Sequence, residues 1–253
     1  MHPRRNVRLA LLILLFILTA SPYAAFAGEA AQAVYSQGLA ALEEGNAELA
    51  VEKFTEAVKA DANWAEAYIN RGVAYRRLGK FKEAVADFTQ ALKLAPSAAE
   101  AYYNRAIAWS QQGRFQEAAE DYTQALKYDP KDWQIYYNRG NAYLDMNKPQ
   151  EALPDYAKAL ELQPDSPDIL HNRGVANLLA GQAEQALRDF RRVAALNPLY
   201  ARAYFNQGKA LEALGRKAEA VQAYRKFLEV GNPATDKALL EQALQDLKNL
   251  EGK

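Results

Sequence analysis

The sequence predicts an all-α solenoid of six helix-turn-helix units, each about 34 residues long, closed by a C-terminal helix. Three observations carry this. The segment YINRGVAYRRLGKFKEAVADFTQALKLAP at 68–96 recurs at 102–130 and again at 136–164, with the same offset each time and no gap. The fifteenth position of successive units is Gly45, Gly79, Gly113, Asn147, Gly181 and Gly215. Gly or Asn is what a helix needs where the chain turns left-handed at its end. Pro96, Pro130, Pro164 and Pro198 stand where the second half of a unit finishes, and they cannot continue a helix.

Taken in order, the chain first presents a targeting segment, residues 1–27. Arg4, Arg5 and Arg8 form a basic start, Leu9 to Leu18 an unbroken apolar stretch, and Ala25-Phe26-Ala27 a small-x-small cleavage pattern. The apolar stretch is shorter than the roughly 20 residues that span a bilayer. Cleavage is the expectation, and retention as a membrane anchor is the alternative. Without this segment and its three arginines the chain carries 28 basic and 31 acidic side chains.

The six units follow at 31–64, 65–98, 99–132, 133–166, 167–200 and 201–234. Apolar and small residues recur at helical spacing in both halves of each. Pro154 falls inside a second helix and predicts a kink. Phe227 stands where the other units have a smaller residue and predicts that the helices of the sixth unit are spaced apart. Residues 235–253 read as a capping helix and tail: Leu239, Ala243, Leu247 and Leu250 share one face, with Thr235 as the N-cap.

Composition excludes several functions. There is no cysteine, so disulfides, thiolate metal sites and a cysteine nucleophile are ruled out. Two histidines, His2 and His171, give no basis for a metal site, and no catalytic motif or Gly-rich phosphate loop is present. The balance of 31 basic and 31 acidic residues argues against a nucleic-acid partner. No cofactor, metal or enzymatic activity is expected.

The repeat register separates two polar positions. The seventh carries Arg71, Arg105, Arg139 and Arg173 in the same units whose twenty-third carries Asp87, Asp121, Asp155 and Asp189. This predicts an ion pair joining the two helices of one unit. The sixth position is Asn70, Asn104, Asn138, Asn172 and Asn206, although Asn is not favoured inside helices.

Within each unit the large residue, Gly, aromatic, Ala, aromatic, Ala and Pro recur at fixed offsets. In the second unit they are Tyr68, Gly72, Tyr75, Ala84, Phe88, Ala91 and Pro96. In the fourth they are Tyr136, Gly140, Tyr143, Ala152, Tyr156, Ala159 and Pro164. This pattern resembles the tetratricopeptide repeat. The resemblance implies a right-handed superhelix whose first helices line a concave groove through positions 2, 5, 6, 9, 12 and 13. It thereby implies an asparagine ladder, Asn70, Asn104, Asn138, Asn172 and Asn206, that meets a peptide backbone, as in the family's O-linked N-acetylglucosamine transferases. Bonding of each Asn to the neighbouring repeat is the alternative. Tyr103, Tyr137, His171, Phe205 and Asn141 would line the same groove. Family members that clamp a chaperone C-terminus are matched only in part by Asn141, Asn172 and Arg202, since Tyr137 and Asn206 replace two of the basic residues. A weaker carboxylate contact at Arg202 and Lys209 remains.

The functional expectation is an exported adaptor, periplasmic or secreted, that holds a peptide or partner protein in this groove within a bacterial envelope assembly. The alternatives are an accessory subunit of a cell-envelope enzyme complex (polysaccharide synthesis or cytochrome maturation) and a membrane-tethered scaffold with an uncleaved anchor.

Overall fold

A computed structural model describes residues 22–252. Thirteen helices follow one another among these residues: α1 (Pro22–Glu43), α2 (Ala47–Ala60), α3 (Ala65–Arg77), α4 (Phe81–Leu94), α5 (Ala99–Ser110), α6 (Phe115–Tyr128), α7 (Trp133–Asp145), α8 (Pro149–Leu162), α9 (Pro167–Leu179), α10 (Ala183–Leu196), α11 (Ala201–Ala213), α12 (Lys217–Val230) and α13 (Lys237–Glu251). The chain is all-α over this range. The proposed targeting segment lies outside the described residues, except that the backbone of residues 22–27 opens α1. No described helix is long and apolar enough to cross a membrane.

Each helix packs on the next, and the stack curves in a defined sense. Successive first helices (α1, α3, α5, α7, α9, α11) also touch one another, whereas no contact of similar extent links successive second helices. The first helices are therefore closer together and form the inner, concave wall.

The turns show how local chemistry sets this geometry. After α3, Gly79 adopts φ +71°, and the Lys80 N–H reaches back to the Tyr75 carbonyl at 2.9 Å. That bond closes a Schellman cap. After α7 the same turn is made by Asn147 at φ +56°, the one non-glycine with positive φ among the described residues. An L-residue meets steric strain there that Gly does not. Asn147→Gly is expected to raise stability by about 0.5–1 kcal/mol, read from the denaturant midpoint; a lower midpoint would show that the Asn side chain supports the turn. At the ends of α4 and α6, Ala95 and Asp129 sit near φ −130° and −131°. The following proline suits this extended backbone, which Asp61 adopts at φ −136° before Ala62 as well.

The core repeats one device. Phe54, Phe88, Tyr122, Tyr156, Phe190 and Tyr224 are buried in the second helices. Five of the six rings press on a glycine of the paired first helix: a Cβ on Gly72 would lie 2.7 Å from the Phe88 ring, and one on Gly208 would stand closer still to Tyr224. In the third repeat Ala106 takes the glycine's place.

Pro154 lies inside α8, as the sequence placed it, and the helix keeps the 14 residues of α4 and α6. Two expectations are corrected. Phe227 is fully buried and meets Phe205 edge-on at 5.4 Å in the core shared by α11, α12 and α13, so its bulk fills the joint with the cap. The residue preceding α13 is Asp236, not Thr235, and its carboxylate accepts the Asn232 N–H at 3.1 Å.

Candidate functional site: the concave face

The asparagines at the sixth position follow one rule. Each directs its amide nitrogen at the fifth-position side chain of the preceding repeat whenever that side chain can accept. Asn70 donates to the Tyr35 hydroxyl at 2.7 Å, Asn138 to Tyr103 at 3.1 Å, and Asn172 to Tyr137 at 3.1 Å and to Asn141 Oδ1 at 2.9 Å. Asn206 lies 2.9 Å from His171 Nε2. Before Asn104 the fifth position is Ile69, which has no acceptor, and Asn104 turns back to the Glu100 carbonyl of its own helix. The donor half of the ladder is thus spent on stacking repeats everywhere but at Asn104, which is buried. Two kinds of group remain for a ligand: the carbonyl oxygens of Asn70, Asn138 and Asn206, and the hydroxyl protons of Tyr35, Tyr103 and Tyr137. Burial pushes the ionisation of these three tyrosines up, so the hydroxyls keep their protons.

His171 takes the tyrosine's place in this arrangement. With Asn206 donating to Nε2, the proton sits on Nδ1 and points to Asn172 Oδ1 at 3.3 Å. Desolvation holds its pKa below the usual histidine value; Arg202 adds to this, while the Asn172 bond and Asp168 oppose it. A lowered folded-state pKa means that the unfolded chain takes up the proton first. Stability is complete above about pH 6.5 and falls as pH drops below it, by at most about 1.4 kcal/mol per pH unit. Melting between about pH 7.5 and 5.5 should reveal this loss, and His171→Tyr should remove its share; an unchanged pH profile in the variant would acquit His171.

The ion pairs lie behind the ladder, within each repeat. Arg71, Arg105, Arg139 and Arg173 each grip Asp87, Asp121, Asp155 and Asp189 through Nε and Nη2, at 2.6–2.9 Å. Three of them also reach into the preceding repeat: Nη1 of Arg71, Arg105 and Arg139 donates to Thr55, Thr89 and Thr123. Ala157 occupies that place before Arg173, which lacks the bond, and Asn177 instead donates to Asp189 at 3.2 Å.

At the C-terminal end, the carboxylates expected at Arg202 and Lys209 come from the chain itself. Lys209 Nζ lies 2.7 Å from Asp246 and Arg202 Nε 3.5 Å from Asp236. Phe205 is buried between Tyr224 and Phe227. These three residues therefore anchor α13. Farther toward the N-terminus, a cleft of about 320 Å³ opens between α5 and α7, lined by Ile107, Ser110, Tyr122, Asn138 and Asn141 among others. Tyr137 is half-buried beside it in sequence, against Tyr156 at 6.2 Å. The described residues hold no cluster of His, Cys, Asp and Glu suited to a metal ion.

Sequence reasoning passed over Arg76 and Ser110, both at the twelfth position. The signal was available, because that position is Leu42, Leu144 and Leu178 elsewhere and Arg only once.

A family profile described as tetratricopeptide repeat matches residues 69–132, 110–167, 137–186 and 178–236, which together exceed half of the chain. The chain belongs to the tetratricopeptide repeat family. Its solved relatives agree in fold. YrrB, described as a tetratricopeptide repeat protein with an unusual peptide-binding site, is 25% identical with a TM-score of 0.69, over 77% of this chain and 99% of that one. A tetratricopeptide repeat protein from Parabacteroides merdae is 21% identical, TM-score 0.68, over 88% and 93%. MamA from Desulfovibrio magneticus is 23% identical, TM-score 0.64, over 67% and 96%. No curated protein sequence matches significantly. This tetratricopeptide repeat solenoid is a scaffold for protein–protein interaction, and proteins of its fold are in general non-catalytic.

Proposed function

We propose that this protein is an exported, non-enzymatic adaptor that holds an extended peptide segment of a partner along its concave face, within a bacterial envelope assembly. The observation that carries the binding mode is the pattern of groups left over by the ladder. Amide carbonyls on α3, α7 and α11 and tyrosine hydroxyl protons on α1, α5 and α7 stand along the first helices, so acceptors and donors are offered to a peptide backbone whatever its side chains. The peptide-binding site named for YrrB supports the same reading. Export rests on residues 1–27, with their basic start, short apolar stretch and Ala25-Phe26-Ala27.

The test is photo-crosslinking in the native cell, with the probe at Tyr137 in the groove and, as control, at Lys158, which is exposed on α8. A discrete adduct from Tyr137 alone is the expected result. An adduct from Lys158 alone would overturn groove binding and leave the ladder a stacking device. The mass of the isolated chain tests export independently, since loss of residues 1–27 is expected.

A further inference from the structure

Arg76 stands apart from every other arginine in the described chain. Ten of the thirteen have a carboxylate within ion-pair distance. Arg77 is exposed and donates to the Leu42 carbonyl at 2.5 Å, and Arg188 is open to solvent. Arg76 is half-buried on the concave side of α3, and its Nε is sealed from water without any hydrogen-bond partner. The titratable groups that face it are Tyr103, Arg77 and Tyr122, with no carboxylate among them. A buried donor left unmade costs free energy, and for a cation more so. An orphaned buried donor calls for an explanation, and a ligand that draws the guanidinium toward the concave side supplies one.

We propose that Arg76 is the carboxylate-binding subsite of the groove, taking an Asp or Glu side chain, or the terminal carboxylate, of the bound peptide. This rests on the groove reading above. Three features fix the ligand class. The guanidinium fork matches a carboxylate bidentately. Tyr103, whose hydroxyl oxygen accepts from Asn138, keeps its own proton to donate to the same carboxylate. Arg77 spends one N–H on the Leu42 carbonyl, so the guanidinium left without a protein partner beside Tyr103 is that of Arg76, and its planar edge fits the two oxygens of a carboxylate. The peptide then runs from Arg76 past Tyr103 into the cleft at Ser110 and Asn138, where its backbone meets the ladder.

The experiment selects peptides on the full chain from a random-peptide phage library and resynthesises them in three forms: parent, Asp/Glu changed to Asn/Gln, and C-terminally amidated. Each is titrated by fluorescence anisotropy against the parent protein, Arg76→Gln and Asn138→Ala. The expected result is enrichment of acidic peptides whose affinity falls about 10–100-fold with Arg76→Gln. The matching peptide change should give the same loss, and the two changes together no further loss. Which of the two peptide changes matters identifies the side-chain or the terminal carboxylate. Melting of Arg76→Gln should be unchanged or higher, since an uncompensated cation is removed. Peptides sensitive to Asn138→Ala but indifferent to Arg76→Gln would overturn the subsite and leave the groove standing. Peptides indifferent to both, or the selection of none, would overturn groove binding and the subsite with it. Tighter binding of phosphorylated than of acidic peptides would overturn the carboxylate assignment.

Discussion

Arg139→Ala is expected to lower stability by about 3–5 kcal/mol, because it strands the Asp155 carboxylate in a buried site. The loss also includes the bond from Arg139 to Thr123 of the preceding repeat at 2.9 Å. Arg173→Ala should cost less. Its guanidinium is more exposed, Ala157 offers it no second bond, and Asn177 continues to hold Asp189. Arg114→Ala supplies the baseline. The repeat register gives Arg114 no partner, but it pairs with Glu117 and lies 3.9 Å over the Trp109 ring. Both contacts are at the surface, where solvent screens them and they contribute little. The double change Arg139→Met with Asp155→Leu should recover most of the loss, since an apolar pair of similar volume replaces both charges. Guanidinium chloride is unsuitable because it screens ion pairs; urea midpoints decide. Equal shifts for Arg139→Ala and Arg114→Ala would end the idea that the interhelical pair holds each repeat closed.

Phe88→Ala is expected to cost about 3–5 kcal/mol. The ring is completely buried, and what faces it is Gly72, which has no side chain to fall into the space. Gly72→Val alone should also destabilise, by about 1–3 kcal/mol, because its Cβ would stand 2.7 Å from Phe88 Cε1. Combined, the two changes exchange volume across the same contact, so the double variant should lose clearly less than the sum. Additive losses would mean that the ring and the glycine are not packing partners. Ala106 against Tyr122 in the third repeat shows that one methyl can be admitted at this position, which is why valine rather than alanine is the informative change.

The helices, their order and the ion pairs were readable because they recur. Six copies in one chain let Arg71 be matched to Asp87, and Arg105 to Asp121, without a second sequence. Gly at the fifteenth position is legible for a steric reason: few residues tolerate that φ, and Asn147 is the exception that still fits. Partner choice inside the ladder was less legible. A carboxamide in register is compatible with a ligand and with a neighbour, and only geometry shows that the amide nitrogen of Asn138 is taken by Tyr103. The anchoring of Lys209 by Asp246 was hidden because the partner lies in the tail, outside the repeat.

The two links that tie neighbouring repeats, amide to fifth-position acceptor and arginine to threonine, do not occur evenly. Both join the first repeat to the second and the third to the fourth. Ile69 removes the first from the second–third joint, and Ala157 removes the second from the fourth–fifth joint. The fifth–sixth joint keeps the amide link but has Gln207 where the arginine would stand, so mechanically the array holds two stiff two-repeat segments, with softer couplings at the second–third, fourth–fifth and fifth–sixth joints. Bending and local opening concentrate at those couplings, so the curvature of the inner wall can adjust there in steps while the surface within each segment keeps its shape.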